Sequence, residues 1–280
     1  MDRGDGSGES LAGLLRPGNA GSNTADDHID AFEMASAALP ALPAQVKLVV
    51  RADTAGRTHR FLDYLRQAGV GFSVGFEVND KVRTAIRALA DDAWVPATRQ
   101  NGERREGAAA AEITSRLDLS KYPDRSRVIV RREPLHPGAQ QTLFDIAGAR
   151  FTAFPTDQPD TDLAGLDRVH REHAHVEDRI RGAKDTGARN LPCETFERNQ
   201  VWLQLVMMAQ DLMVWTQVLT FDGQLRLAEP ATLRYMVLHA PARIVRSGRK
   251  LKLRAQHDWP WAAQPVAAFR RLDALPAPAT

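Results

Sequence analysis

The sequence predicts an α/β fold, and three observations carry that prediction. A short β-branched run, "QVKLVVRAD" (45–53), is followed by a helical stretch, "THRFLDYLRQAG" (58–69), and by a second β run, "VGFSVGFEV" (70–78). A β-α-β unit of this length sets its two strands side by side and parallel. Residues 94–157 then change character, with turn-rich segments separating short apolar runs, the pattern of antiparallel strands and hairpins. From residue 162 the apolar spacing is helical again, over 162–185 and 195–220.

Taken in order, residues 1–23 are rich in Gly, Ser and Asn and read as irregular. "NTADDHIDAFEMASAAL" (23–39) reads as a helix with Asn23 or Thr24 as its cap and acids in its first turn. In 58–69, Phe61, Leu62 and Leu65 recur at helical spacing and Gly69 supplies the stop. "DKVRTAIRALADD" (80–92) is a further short helix. The turns "NGERREG" (101–107), "YPDRS" (122–126) and "LHPGA" (135–139) bracket the runs "RVIVRRE" (127–133) and "LFDIAGARFTAFP" (143–155). The most apolar segment, "VWLQLVMMAQDLMVWTQVL" (201–219), carries Gln204, Gln210, Asp211 and Gln217. Burying those groups in lipid is costly, so a buried protein helix is expected there and not a membrane span. Finally, "RIVRSGRKLKLR" (243–254) reads as a basic hairpin or strand ahead of "DWPW". No internal repeat is present.

Composition excludes several classes. With 280 residues, 43% hydrophobic and 26% charged, the chain reads as a soluble globular protein rather than a disordered one. Its net charge of +2 hides an uneven distribution: residues 223–280 hold ten Lys/Arg against three Asp/Glu. A basic end of this kind fits either a polyanionic partner or a solvated surface. Cys193 is the single cysteine, so no internal disulfide forms and the cytoplasm is the expected compartment. The opening "MDRGDGSGES" has neither a basic start nor an apolar run, and no signal peptide is read from it.

Two places carry candidate chemistry. Asp53 follows an apolar strand and precedes a Gly-containing turn, at the strand end where open α/β sheets place ligands; the plain alternative is a cap for the next helix. The second is "HREHAHVEDRIRGAK" (170–184). Read as one continuous helix, it sets His170, His173, Glu177, Arg181 and Lys184 within roughly 80° of one another. Leu166, Val169, Val176, Ile180 and Ala183 form the adjoining apolar stripe, which puts Glu177 at the border between core and cleft. A carboxylate held there suits a metal ion, and the neighbouring cations suit phosphates. A solvated amphipathic helix with pairs such as Glu177–Arg181 explains the same pattern. Zinc on His170 and His173 is the weakest alternative, since there is no HExxH and no cysteine nearby.

The same residues carry a family resemblance. Residues 170–184 resemble the Tyr-x2-Arg-x3-Glu-x6-Lys pattern of bacterial insertion-sequence DDE transposases, carried here by His170, His173, Glu177 and Lys184. Glu and Lys match, whereas His stands at both the Tyr and the Arg position, with Arg171 adjacent as an alternative phosphate contact. "RPGNAGSNTADDH" (16–28), "RADTAG" (51–56), "LDRVHREHAHVEDRIRGAKDTGARNLP" (166–192) and "NQVWLQLVMMAQDLMVWTQ" (199–217) resemble one branch of those enzymes, so the likeness spans essentially the whole chain.

The resemblance implies an RNase H-like core whose three carboxylates bind two Mg²⁺ ions for phosphodiester cleavage and strand transfer at insertion-sequence ends. By residue match, Asp53 is the second Asp of that triad and Glu177 its Glu, both as catalytic and metal-binding residues. Residues 45–93 and 158–222 are then the core halves and 94–157 a β-rich insertion, with 1–44 an N-terminal segment and 223–280 a basic tail. DNA contacts are expected from His170, Arg171, His173, Arg181 and Lys184, and from Arg246, Arg249, Lys250 and Lys252 of the tail, where Arg243 and Arg254 add to the charge. The expected partners are double-stranded DNA and a second copy or a full-length transposase, with no membrane. The family's first Asp lies on a strand that has no counterpart ahead of "RPGNAGSNT", since Asp2 and Asp5 sit in a glycine-rich polar run. The expectation is therefore an N-terminally truncated chain with impaired cleavage, and the alternative is a DNA-binding remnant without catalysis.

Overall fold

A computed structural model of the chain describes residues 8–21, 24–135, 148–172 and 174–276. The turn expected at 135–139, the first half of the run at 143–155, the cap candidate Asn23, and His173, Asp2 and Asp5 lie wholly or largely outside those residues. The chain divides into two compact units, residues 16–174 and residues 1–15 with 175–280.

The first unit contains a six-stranded sheet. Its elements are α1 (Ala25–Ala37), β1 (Val49–Ala52), α2 (His59–Gln67), β2 (Gly71–Val74), α3 (Asp80–Arg87), β3 (Val95–Thr98), β4 (Arg104–Glu112), β5 (Arg127–Pro134), β6 (Ala149–Thr156) and α4 (Leu163–Arg171). The strand order is β1-β2-β6-β5-β4-β3. β1 and β2 are parallel, as the β-α-β reading requires, and every other pair is antiparallel. This mixed sheet with helices is the α/β architecture expected of an RNase H-like core. The strands expected as an insertion continue the same sheet, because β6 pairs with β2 between Thr156 and Ser73. β1 stands at the end of the sheet and its four residues are half-buried rather than fully buried.

Alternation along the strands sorts the core into two faces. Val128 and Val130 of β5 and Ala153 of β6 pack with Val82, Ala85 and Ile86 of α3. Ile129, Ala110 and Phe154 point the other way and pack with Leu166 of α4. On the α3 side, Phe72 and Val74 of β2 receive Phe61, Leu62 and Leu65 of α2, with Ile29 and Phe32 of α1 behind them. Thr58 caps α2 by accepting from the Phe61 N–H, and Gly69 ends it at φ +71, a left-handed conformation that a side chain resists. Asn79 caps α3 by accepting from the N–H groups of Lys81 and Val82.

The second unit contains α5 (Ala174–Ala183), α6 (Phe196–Thr220), a short α7 (Pro230–Leu233), a hairpin of β7 (Ala242–Ser247) and β8 (Lys250–Ala255), and α8 (Ala263–Asp273). The helix expected over 162–185 is therefore two helices, α4 and α5, followed by a π-helical turn, Lys184–Ala188. Its small core joins Phe221, Leu225, Leu233 and Ala268. α6 buries Val206, Met207, Gln210, Val214 and Gln217, but its opposite side is exposed, which departs from the fully buried helix expected. Gln217 compensates its burial by donating to the carbonyls of Leu225 and Ala228. Among the described residues no helix is long and apolar enough to cross a membrane.

Candidate functional site

Asp53 sits directly past β1, exposed, at the carboxyl end of the parallel pair. Its Oδ1 accepts from the Ala55 N–H at 2.9 Å, capping the short 3-10 turn Thr54–Gly56. One carboxylate oxygen thus fixes the side chain and Oδ2 is left for a ligand. The neighbouring strand end is locked against this turn. The Gly75 N–H donates to the Ala52 carbonyl at 3.0 Å, and a Cβ at Gly75 would lie 2.8 Å from the Thr54 nitrogen. Only glycine permits that approach.

A cavity of about 290 Å³ is walled by Arg57, four residues after Asp53 in the sequence, with His59, Phe76, Lys81, Lys121 and Tyr122. The Arg57 guanidinium lies 4.6 Å above the Phe76 ring centroid and donates to the Tyr122 hydroxyl at 2.9 Å. His59 meets Tyr122 edge-to-face at 4.7 Å. The Ser120 backbone N–H holds the Asp118 carboxyl below its ordinary range, its hydroxyl adds to this, and Lys81 and Lys121 add a smaller electrostatic pull. Three cations against one carboxylate make the cavity wall electropositive, and two aromatic rings keep Arg57 in place. None of these six residues was singled out from the sequence; the signal available was Arg57, four residues after Asp53.

α4 places its candidates in the interior. His170 is 2% exposed, with Ser73 Oγ 2.9 Å from its Nδ1 and its ring stacked 4.2 Å from Phe154. A ring so enclosed has no face for a DNA backbone, so here it is a core residue joining α4 to β2 and β6. Arg171 donates from Nε to Asp167 at 2.9 Å and from Nη2 to the Thr98 carbonyl. Asp167 also accepts from Arg131 of β5 at 3.1 Å and is fully buried. Arg168 donates to the Thr98 hydroxyl at 3.1 Å, and Arg51 donates to the Val169 carbonyl and to Glu172. These arginines tie α4 to the sheet.

The second unit holds the other candidates. Glu177 is exposed in the first turn of α5 and does not border a core. Arg181 is engaged with Asp178 at 3.0 Å and Glu229 at 3.4 Å, while Lys184 is exposed where the π turn begins. Gly182 lets α5 approach α6 closely, since a Cβ there would lie 2.7 Å from Gln210 Nε2. Trp202 Nε1 donates to the Gly187 carbonyl at 2.9 Å, where Gly187 adopts φ 150. α5 is thereby anchored and Glu177 rides on a fixed helix. Asp53 and Glu177 belong to different units, and each fits its own unit's frame. Among the described residues, no three His, Cys, Asp or Glu side chains are grouped to hold a metal ion.

The β7–β8 hairpin organises the basic tail. Ser247 pairs with Lys250 across a two-residue turn, with Gly248 at φ +61, the conformation demanded of the first residue of a type II′ turn. Arg243 opposes Arg254, Val245 opposes Lys252 and Ser247 opposes Lys250, so four cations share one face. The other face carries Ile244, Leu251 and Leu253, together with Arg246, and Arg249 occupies the turn. Like charges directly opposite one another destabilise a ladder unless an anion lies over them. Trp259 and Trp261 form an edge-to-face trio with Tyr235, and Trp259 Nε1 donates to the Met236 carbonyl, so both pack the tail onto its own unit.

Against known proteins, a family model described as "Transposase DDE domain group 1" matches residues 4–277. The search of curated proteins finds no match.

Proposed function

The chain belongs to the Transposase DDE domain group 1 family, whose substrate is DNA, and from that premise we propose that it cleaves phosphodiester bonds at insertion-sequence ends and transfers the strand. The family uses divalent metal in general; the reading here is Mg²⁺, two ions, held by Asp53 and Glu177 with other oxygen donors. The donor chemistry fits, because both are exposed carboxylates and Mg²⁺ selects hard oxygens. When bound, the ions supply activation of a water or 3′-hydroxyl and stabilisation of the leaving oxygen. The observation that carries the reading is Asp53 itself, held by its turn at the sheet's carboxyl end, with Arg57, four residues further along the chain, in the wall of an electropositive cavity.

The chain's own residues have separable roles. Asp53 presents Oδ2 from a backbone-fixed side chain, so little order is lost when it takes a ligand. Arg57, Lys81 and Lys121 receive backbone phosphates next to it. Glu177 supplies the second carboxylate from α5, and Lys184, about two turns beyond, a cation from the π-helical turn that follows it. Arg171 acts through Asp167 and Thr98, holding α4 in place rather than touching DNA.

The test is metal-dependent nicking of supercoiled DNA, with Glu177→Gln as the informative variant. Cleavage is expected to fall by about 10³-fold, the loss of several kcal/mol of transition-state stabilisation, while DNA affinity stays within twofold. Full activity in that variant overturns the assignment of Glu177. DNA binding with no nicking by the unsubstituted chain overturns the catalytic reading.

The basic hairpin supplies affinity. Replacing Lys250, Lys252 and Arg254 together with Ala is expected to lower the slope of log affinity against log salt by about 2–3, since each phosphate contact contributes roughly 0.9. An unchanged slope in fluorescence anisotropy would mean that the ribbon's charge faces solvent and not DNA.

A further inference from the structure

The β7–β8 ribbon leaves both of its faces to solvent. Val245 and Ala255 are half-exposed and every other residue of the two strands is exposed. The register sorts the side chains into two chemically different faces. On one, Arg243 with Arg254, Val245 with Lys252 and Ser247 with Lys250 form three cross-strand rows; on the other, Ile244, Leu251 and Leu253 predominate. Among the described residues no carboxylate pairs with any of the four cations of the first face. That face is rich in donors and nearly devoid of acceptors, with two guanidinium groups, two ammonium groups and one hydroxyl around a single valine. Arg243 and Arg254 stand directly opposite each other, a repulsive placement that an acceptor-rich partner relieves.

From this we infer that the cationic face of the ribbon reads base edges in the major groove of double-stranded DNA, and that Arg243 and Arg254 set its sequence specificity. The inference rests on the DNA reading above and deepens it, because phosphate contacts supply affinity without sequence. Size selects the groove. Two strands about 4.8 Å apart, with their side chains, fit a major groove roughly 12 Å wide and not a minor groove of about 6 Å. The pitch agrees as well: successive rows on one face lie about 7 Å apart, close to two base-pair steps of roughly 3.4 Å. Composition then separates the roles. A surface for phosphates alone gains nothing from a valine, and lysine serves it as well as arginine. Guanidinium forks match the paired acceptors O6 and N7 of guanine, and an isopropyl group matches the methyl of thymine. Lys250 and Lys252, in the rows nearer the turn, act as point charges on phosphates. Arg243 and Arg254 share a row, so their guanines fall on the same or adjacent base pairs, with the contact of Val245 about two steps further on. Ile244, Leu251 and Leu253 then point out of the groove.

The experiment selects binding sites for the full chain from a pool of duplexes with a randomised central block. Fluorescence anisotropy then compares the selected duplex with a scrambled duplex of the same composition. Arg243→Lys/Arg254→Lys keeps every charge. It is expected to lower the preference for the selected duplex by about 10-fold or more per arginine, while affinity for the scrambled duplex and its salt dependence stay unchanged. Lys250→Gln/Lys252→Gln should do the reverse, lowering the slope of log affinity against log salt by about 2 and leaving the preference intact. Methylating guanine N7 in the selected duplex should weaken binding by the unsubstituted chain and not by the double lysine variant. A pool that enriches no site, an enriched site without guanine, or a preference that survives Arg243→Lys/Arg254→Lys each overturns the proposal. So does a preference lost in Ile244→Thr/Leu253→Thr, which would put the apolar face on the DNA. Loss of binding to phosphatidylserine vesicles in Lys250→Gln/Lys252→Gln, with both duplexes bound as before, would assign the ribbon to an anionic membrane instead. Failure of the catalytic reading looks different: selective binding without nicking, which supports the inference, whereas no affinity for any duplex defeats both.

Discussion

Asp53→Asn is expected to abolish DNA cleavage while leaving the fold and DNA affinity as they were. The argument turns on what each oxygen of Asp53 does. Oδ1 accepts from the Ala55 N–H and caps the turn at the end of β1; an asparagine carbonyl takes the same bond, so the turn survives. Oδ2 is the group offered to a metal, and an amide carries no charge to hold one. Losing several kcal/mol of charge stabilisation lowers the rate by about 10³-fold or more. Asp53→Ala removes both functions and should cost about 1 kcal/mol in stability as well, the usual worth of such a cap. The pair therefore separates chemistry from structure. Nicking by Asp53→Asn at the unsubstituted rate would leave Asp53 as a cap and nothing more.

Asp53 is legible in the sequence because its context is local: an apolar run, an acid, a turn with glycine. The parallel β1–β2 pair is legible for the same reason, since a β-α-β crossover constrains strand direction by chain length alone. What lies at long range is not. "RVIVRRE" reads as a strand, but nothing in it shows that Arg131 reaches Asp167, 36 positions away, inside the fold. The amphipathic pattern through 162–185 runs without interruption, so the end of α4 at Arg171 and the new start at Ala174 leave no trace in it. Val176 and Ile180, read as an inward stripe, are half exposed in consequence. α6 misleads in the opposite way. A helix apolar on nearly all sides looks like core, and hydropathy does not show which of its faces the chain covers. The basic hairpin falls between these cases: its alternation of Leu with Lys and Arg predicts the strand, but only the register shows that Arg243, Lys250, Lys252 and Arg254 share a face while Arg246 does not.

Asp167→Ala is expected to be the most damaging single substitution in the sheet-bearing unit. Asp167 is fully buried and accepts from two guanidinium groups, Arg131 on β5 and Arg171 one helical turn further along α4. Arg131 reaches Glu133 at 3.4 Å and the Thr152 hydroxyl, and Arg171 reaches the Thr98 carbonyl. The carboxylate is thus the point where the helix, the middle of the sheet and its far edge strand β3 are joined. Removing it leaves one buried and one half-buried cation without the anion between them, a change that costs about 3–5 kcal/mol. Spread over a unit of this size, that corresponds to a fall in Tm of roughly 10 °C. Asp167→Asn keeps an acceptor and removes the charge, and should fall between the two, about 1–3 kcal/mol below the unsubstituted chain. A melting curve shifted by less than about 2 °C in Asp167→Ala would mean that desolvation of the three charges already cancels their attraction. In that case the leucine and phenylalanine contacts of α4, Leu166 on Phe154 and Ile129, would have to hold the helix by themselves. The expected order, Asp above Asn above Ala, follows only if the network is what positions α4 on the sheet.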